Sequence, residues 1–235
     1  MQRLSELKAR VAEANRRLVA EGLVTLTWGN VSGIDREAGL VAIKPSGVPY
    51  EALTAENVVV VDLEGNVVEG DLRPSSDTAT HLRLYRDFAG IGGVCHTHSR
   101  YAVVFAQLRR EIPCLGTTHA DHFFGSVPLT RPLTEDEVES AYEVHTGTVI
   151  IERFRQAGLD PEAAPGVLVA GHGPFTWGDS PDKAVENAVA LEAIAAMAWD
   201  AMALTEHPTE LEDYVLRKHY LRKHGPGAYY GQRST

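Results

Sequence analysis

The stretch GGVCHTHSRYAVVFAQL, residues 92–108, reads as a strand that turns directly into a helix. Gly92 and Gly93 lead into the strand VCHTH, and a helix is expected from about Ser99 to Leu108. Strand side chains alternate faces, so His96 and His98 project to one side and Cys95 and Thr97 to the other. Two imidazoles one strand-step apart can reach a single ion with metal–nitrogen bonds of about 2 Å. The same alternation excludes Cys95 as a further ligand while the strand stays regular. An H-x-H pair also describes two partly buried histidines satisfied by hydrogen bonds, so both readings stand at this point.

Working outward from that stretch, the pattern alternates between strands and helices. Leu4, Leu7, Val11, Ala14 and Leu18 fall at helical spacing ahead of a stop at Gly22. LVTLTW (23–28) reads as a strand before a sharp Gly29-Asn30 turn, and Leu40 to Lys44 as another before Pro45-Ser46-Gly47. VVVVD (58–62) and VVEG (67–70) suggest a hairpin, and residues 77–88 a helix. Thr134 with Glu137 is a capping box for a helix running to Gly158. Asp160-Pro161 resembles a further helix start. GVLVAGHG (166–173) is an apolar run ending in glycines, and Ser180-Pro181 opens a long alanine-rich helix to about Leu204. One α/β domain with helices covering a sheet accounts for this order.

The chain has 235 residues, which suits one sizeable domain. Its net charge is −10 with both signs mixed along it, so neither a nucleic acid nor a membrane surface is expected as partner. A phosphate on a substrate would therefore need a local binding site against an unfavourable global field. No apolar run is expected to span a membrane, and the N-terminal segment lacks a signal-peptide core. Two cysteines, Cys95 and Cys114, are too few for a disulfide framework, so a cytoplasmic protein is expected.

His172 stands between two glycines, which let the backbone approach a site closely. Together with His96 and His98 it makes three imidazoles, the donor set of a catalytic zinc that keeps one position for substrate. Asp77 is a candidate fourth ligand or base, and equally a cap for the helix that follows it. Gly29-Asn30, Ser46-Gly47 beside Lys44, and Ser75-Ser76 are turns with free backbone N–H groups, the kind of nest a phosphate needs. There is no G-x-G-x-x-G and no P-loop, which disfavours nucleotide binding. Of the ten histidines, His81 is expected on the surface or in the core. His119 and His122 flank Asp121, and His207 and His224 are expected to face solvent.

LVTLTWGNVSG, IKPSGV, PSSDTATHLRLY, GGVCHTHSR, GTTHADHFFG, GVLVAGHGPFTWG and KHYLRKHGPGAYYGQ together resemble the L-ribulose-5-phosphate 4-epimerase group of the class II aldolase/adducin superfamily. The likeness runs from the first helix almost to the C-terminus, with its motifs in order. It implies a three-layer α/β/α single domain over 1–235 with a largely antiparallel central sheet. The tail, from about 221, would close over the site. It further implies a homotetramer with active sites at subunit interfaces.

By that resemblance the zinc ligands are Asp77, His96, His98 and His172, with manganese or cobalt as possible substitutes. Gly29, Asn30, Lys44, Ser46, Gly47, Ser75 and Ser76 contact a phosphorylated pentulose. Asp121 and Tyr230 are the acid/base residues, and Thr117 and His219 lie near the site across the interface. The implied reaction is retro-aldol cleavage of L-ribulose 5-phosphate and re-addition to give D-xylulose 5-phosphate. The chain departs from the pattern at Ala170-Gly171 and around Val144-His145. A class II sugar-phosphate aldolase is the near alternative, although such aldolases carry Glu where this chain has Asp77. An adducin-like interaction module would not need three convergent imidazoles.

Overall fold

The computed structural model describes residues 2–205, 207–224 and 227–230. Helix α1 (Gln2–Ala20) leads to strands β1 (Gly29–Asp35), β2 (Leu40–Ile43), β3 (Val59–Asp62) and β4 (Val67–Glu69). Helix α2 (Thr78–Asp87), strand β5 (Gly93–Thr97), helix α3 (Arg100–Gln107) and the single turn α4 (Thr117–Ala120) follow. Then come α5 (Glu135–Ala157), β6 (Gly166–Leu168), β7 (Pro174–Gly178), α6 (Pro181–Leu204) and α7 (Asp213–His224).

The strands form one sheet in the order β4-β3-β2-β1-β5-β7-β6, and every ladder in it is antiparallel. Pleating sorts the side chains between two helical layers. Val41, Val59, Val61, Val94, Phe175 and Trp177 pack with Leu84 and Tyr85 of α2 and Ile150 and Phe154 of α5. Their neighbours on the opposite face, Val31 and Cys95, pack with Ala14 and Leu18 of α1 and with Ala184, Val185 and Ala188 of α6. The three-layer α/β/α architecture follows from that alternation.

Several local expectations are corrected. LVTLTW is not a strand: Trp28 N–H bonds to the Thr25 carbonyl at 3.1 Å, and Leu26 sits at φ 52°. The strand is instead GNVSGID, whose glycines, asparagine and serine are poor strand formers. Pairing on both edges with β2 and β5 decides it, because partners and burial outweigh intrinsic preference. Asp160-Pro161 closes a single turn in which Ala163 and Ala164 N–H both reach the Asp160 carbonyl, not a helix.

α6 is, by length and composition alone, apolar enough to cross a membrane, contrary to expectation. Part of that apolar character is the face that packs on the sheet and on α3, including Leu191, Ile194, Ala195 and Ala198, while Met197, Trp199 and Leu204 are exposed. Other boundaries match their signals. The Thr134–Glu137 capping box is formed, Gly158 ends α5 at φ 61°, and Ser180 Oγ accepts the N–H of Lys183.

α5 carries a feature its pattern does not announce. The helix is broken at Ala141 (φ −161°, ψ 73°), immediately before Tyr142 and Glu143. The carbonyl of Glu143 is taken up by Oγ1 of Thr80 on α2 at 2.6 Å, so the break is satisfied rather than left open. It turns Tyr142 and Glu143 toward the C-terminal end of β5.

Candidate metal centre and anion cavity

β5 lies between β1 and β7, and its register sets Asn30, His96 and Phe175 side by side in one row. Phe175 stacks on the His96 ring at 4.2 Å between centroids and fixes its plane. His98 follows β5 directly, and its Nε2 stands 3.1 Å from that of His96. Two donors about 2 Å from one tetrahedral ion stand roughly 3.3 Å apart, so this spacing suits a shared metal. His172 arrives on the turn between β6 and β7. The ligand atoms of all three histidines lie within 4.8 Å of one another. Gly173 makes that approach possible, because a β-carbon there would stand 2.9 Å from the Thr97 carbonyl oxygen.

A hydrogen bond chooses the His96 tautomer. Nδ1 of His96 is 2.9 Å from the Pro174 carbonyl, so it carries the proton and leaves Nε2 as a lone pair toward the cluster. Nδ1 of His172 stands 3.3 Å from the Tyr142 hydroxyl, a bond that either group can donate. Burial, with the neighbouring imidazole of His98, pushes His96 down to about 3 despite the Pro174 carbonyl. Burial and the other two rings push His172 to about 3 as well. His98, exposed at the cavity mouth, is also lowered by desolvation on its inner side. All three are thus neutral at physiological pH, which is the ligand form. The donor set, the His96 tautomer and the neutral charge state fit a divalent transition metal.

These histidines form one wall of a cavity of about 400 Å³, whose other walls include Gly29, Asn30, Lys44, Ser46, Gly47, Ser75, Ser76, Asp77, Tyr142 and Glu143. The two serine turns are laid together by main-chain bonds from Ser46 N–H to the Arg73 carbonyl and from Ser75 N–H to the Lys44 carbonyl. Contrary to expectation these N–H groups are therefore not free, nor is that of Gly29, which opens β1 and bonds to the Thr27 carbonyl. Gly29, at φ 143°, lies so close to β5 that a β-carbon would stand 2.8 Å from the His96 carbonyl oxygen. Lys44 is 2 % exposed and lies over the Tyr50 ring at 4.9 Å. Among the described residues it has no ion-pair partner, and burial lowers its pKa. An unpaired buried cation is costly unless an anion joins it, so this end of the cavity suits a phosphate.

Asp77 is the N-cap residue of α2, but its side chain makes no capping bond. Its Oδ2 instead accepts from Nδ2 of Asn30 at 2.6 Å, on the cavity side. The convergent cluster comprises the histidines, and Asp77 faces the same space without joining it. Tyr142 and Glu143 are additions that sequence reading missed. The only signal for them was a departure from pattern around Val144-His145.

Asp121, Thr117, His219 and Tyr230 do not line this cavity within one chain. Asp121, at the end of α4, is instead met by α7. His219 Nδ1 is 3.1 Å from its Oδ1, Arg222 Nη2 is 2.6 Å from Oδ2, and Lys223 Nζ is 3.5 Å away. His224, expected to face solvent, bonds through Nε2 to the Asp121 carbonyl at 2.8 Å. Tyr230 folds back over Arg222 and Lys223, and Thr117 begins α4 as an exposed residue. Residues 225–226 and 231–235 of the tail lie outside the described residues. A second surface hollow of about 460 Å³ holds Arg3, Arg10 and Arg36. All three are engaged, by Asp35 and Glu37, by Asp182, and by main-chain carbonyls.

Two further histidines are wholly internal. His81 bonds through Nδ1 to Ser32 Oγ at 2.7 Å, and burial pushes its pKa to about 3. His119 bonds through Nε2 to the Gly125 carbonyl at 2.8 Å, bracing the Asp121 loop, and burial pushes it to about 4. An unfolded imidazole takes its proton near pH 6.5, which these folded ones refuse. Stability is therefore full above about pH 6.5 and drains as pH falls toward 4, by at most about 2–3 kcal/mol per pH unit for the pair. The thermal midpoint should fall continuously from pH 7 to pH 4.5. A midpoint unchanged between pH 7 and 5 would contradict this.

Residues 9–199 match the family model for the class II aldolase and adducin N-terminal domain. Among solved structures, an L-fuculose 1-phosphate aldolase is 28% identical with a TM-score of 0.77, over 91% of this chain and 94% of that one. YgbL of Klebsiella pneumoniae, described as a putative aldolase/epimerase/decarboxylase, shares the fold at 23% identity and TM-score 0.73, over 92% of this chain and 98% of that one. An L-fuculose 1-phosphate aldolase from Glaciozyma antarctica PI12 does so at 19% identity and TM-score 0.75, over 95% and 84%. With most of its length inside the family model and the histidine-walled cavity built on that shared sheet, this chain belongs to the class II aldolase/adducin family.

Proposed function

We propose that the protein is a zinc-dependent isomerase that epimerises L-ribulose 5-phosphate to D-xylulose 5-phosphate at C4, by breaking and remaking one carbon–carbon bond. The observation that carries this reading is a single cavity lined both by convergent neutral imidazoles and by a buried lysine, beside serine turns, with no ion-pair partner among the described residues. His96, His98 and His172, with Asp77, would hold the ion. Bound there, a divalent metal supplies Lewis-acid stabilisation of negative charge on adjacent substrate oxygens. Zinc suits a donor set of this kind, and manganese or cobalt could replace it.

The chain's own residues do the rest. Lys44, the hydroxyls of Ser46, Ser75 and Ser76 and the N–H groups of Gly47 and Ser76, with Gly29 and Asn30 beside them, grip the phosphate and so set which carbon reaches the metal. One acid/base group removes the C4 hydroxyl proton as the C3–C4 bond breaks, giving the enediolate of dihydroxyacetone and glycolaldehyde phosphate. The aldehyde turns over while its phosphate stays held, and a second group protonates the new hydroxyl on the other face. Asp121 and Tyr230 take these roles. A neighbouring copy in a homotetramer would bring them to the cavity, together with Thr117 and His219. A cytoplasmic setting accords with two buried, free thiols, Cys95 and Cys114.

Incubating the zinc-loaded protein with L-ribulose 5-phosphate, while following both D-xylulose 5-phosphate and free glycolaldehyde phosphate, tests the reading. Epimer without free fragment supports it. Fragment without epimer makes the protein an aldolase of the same family, the alternative that the aldolase neighbours favour. Lys44→Gln should raise KM by roughly 10–100-fold with a smaller change in kcat, since a charge-assisted bond contributes about 1.5–3 kcal/mol. Inhibition by inorganic phosphate should weaken in parallel. An unchanged KM would remove Lys44 from the phosphate site.

A further inference from the structure

α7 and the loop that carries Asp121 are joined through one side chain. Arg222 donates from Nε to Oδ1 of Asp121 at 3.0 Å and from Nη2 to Oδ2 at 2.6 Å, a two-toothed grip along the guanidinium edge. The face of the same guanidinium is occupied too, with the Tyr230 ring centre 5.2 Å from its central carbon. The backbone carbonyl of Arg222 accepts the N–H groups of Tyr229 at 2.9 Å and Tyr230 at 3.1 Å. The tail therefore doubles back onto the residue that holds Asp121. Lys223 lies 4.5 Å from the Tyr230 ring and 3.5 Å from Asp121 Oδ2, but a point charge cannot present an edge and a face at once.

We infer that Arg222 is the positioning residue of the acid/base pair, its edge fixing the Asp121 carboxylate and its face fixing the Tyr230 ring. Asp121 and Tyr230 then move as one unit with α7. The inference rests on the acid/base roles given to those residues above. Burial tends to raise the Asp121 pKa, but hydrogen bonds from Arg222 and His219 and the charges of Lys223 and Arg222 outweigh it, and the group is held low. The charged and titratable groups facing it are His219, Arg222, Lys223 and His224 from α7 and His122 from its own loop.

Arg222→Lys, Arg222→Gln and Arg222→Ala, made in the full chain, test this. A misplaced acid/base group costs about 10²-fold in turnover. Arg222→Gln and Arg222→Ala should therefore lose kcat on that scale with KM within about 3-fold of wild type, and Arg222→Lys should recover only part. Added guanidinium should rescue Arg222→Ala. The acidic limb of the kcat profile should move to higher pH in Arg222→Gln. In the double variant Arg222→Ala, Asp121→Asn, removing Arg222 should cost less than it does in the wild-type background, because the part of its effect that runs through Asp121 is already lost and only the Tyr230 part remains. Amide hydrogen exchange supplies a readout free of activity: residues 227–230 should exchange faster in Arg222→Gln and unchanged in Arg217→Gln. A raised KM with unaltered kcat would overturn the inference, as would multiplicative losses in the double variant or unchanged tail exchange. If the wild-type protein neither epimerises nor cleaves sugar phosphates, the functional reading fails, and the exchange experiment still decides whether Arg222 holds the tail.

Discussion

Replacing His98 by alanine should abolish turnover and remove the metal in the same step. His96 and His98 present their Nε2 atoms 3.1 Å apart, and His172 closes the cluster. Zinc held by protein side chains in small zinc domains is bound by about 10–16 kcal/mol. One ligand among three or four therefore carries on the order of 3–5 kcal/mol, or roughly 10²–10⁴-fold in affinity. His98 is the exposed member, so its loss empties no part of the core and the fold should survive. Metal content by atomic emission, circular dichroism and epimer formation should be measured on one preparation. A folded His98→Ala protein that keeps stoichiometric metal would refute the ligand set.

Asp121→Asn should do the reverse, keeping metal and fold while losing about 10²–10⁴-fold in kcat, the usual scale of a general acid or base. Asparagine preserves the shape of the side chain but withdraws the charge that His219, Arg222 and Lys223 surround. Since Asp121 does not line the histidine cavity of its own chain, mixing gives a sharper result. His98→Ala and Asp121→Asn subunits, each inactive alone, should regain activity when unfolded and reassembled together, because some interfaces then pair an intact cavity with an intact Asp121. Mixtures that remain inactive would mean that Asp121 does not act across an interface. Normal turnover by Asp121→Asn alone would withdraw its acid/base role.

The histidine cluster was legible because a period of two is a geometric rule. Whatever the tertiary fold, regular strand alternation puts His96 and His98 on one side, and glycines around His172 admit a close approach. The helix signals at Thr134–Glu137, Gly158 and Ser180 were legible for a similar reason, since each satisfies backbone groups within a few residues of itself. LVTLTW misled because its composition favours a strand, while GNVSGID became one through pairing with distant β2 and β5. Asp77 looked as much like a cap as a site residue until the structure showed its carboxylate bonded to Asn30 and not to the helix.

Local order and chemistry therefore came from the sequence by itself: an α/β chain, an H-x-H pair with two aligned imidazoles, serine turns beside a lysine, and a family resemblance through ordered motifs. Only the tertiary structure decided which of these meet. It broke α5 at Ala141 and so brought Tyr142 and Glu143 into the cavity. It buried Lys44 beside that space with no ion-pair partner among the described residues, and it gathered three cationic or titratable side chains of α7 around one carboxylate. These are contacts between residues 30 to 100 or more positions apart, such as Tyr142 with His172 and Arg222 with Asp121. The physical reason is that backbone periodicity reaches only a few residues along a chain, whereas burial, charge and cavity shape depend on the layers that close over the sheet.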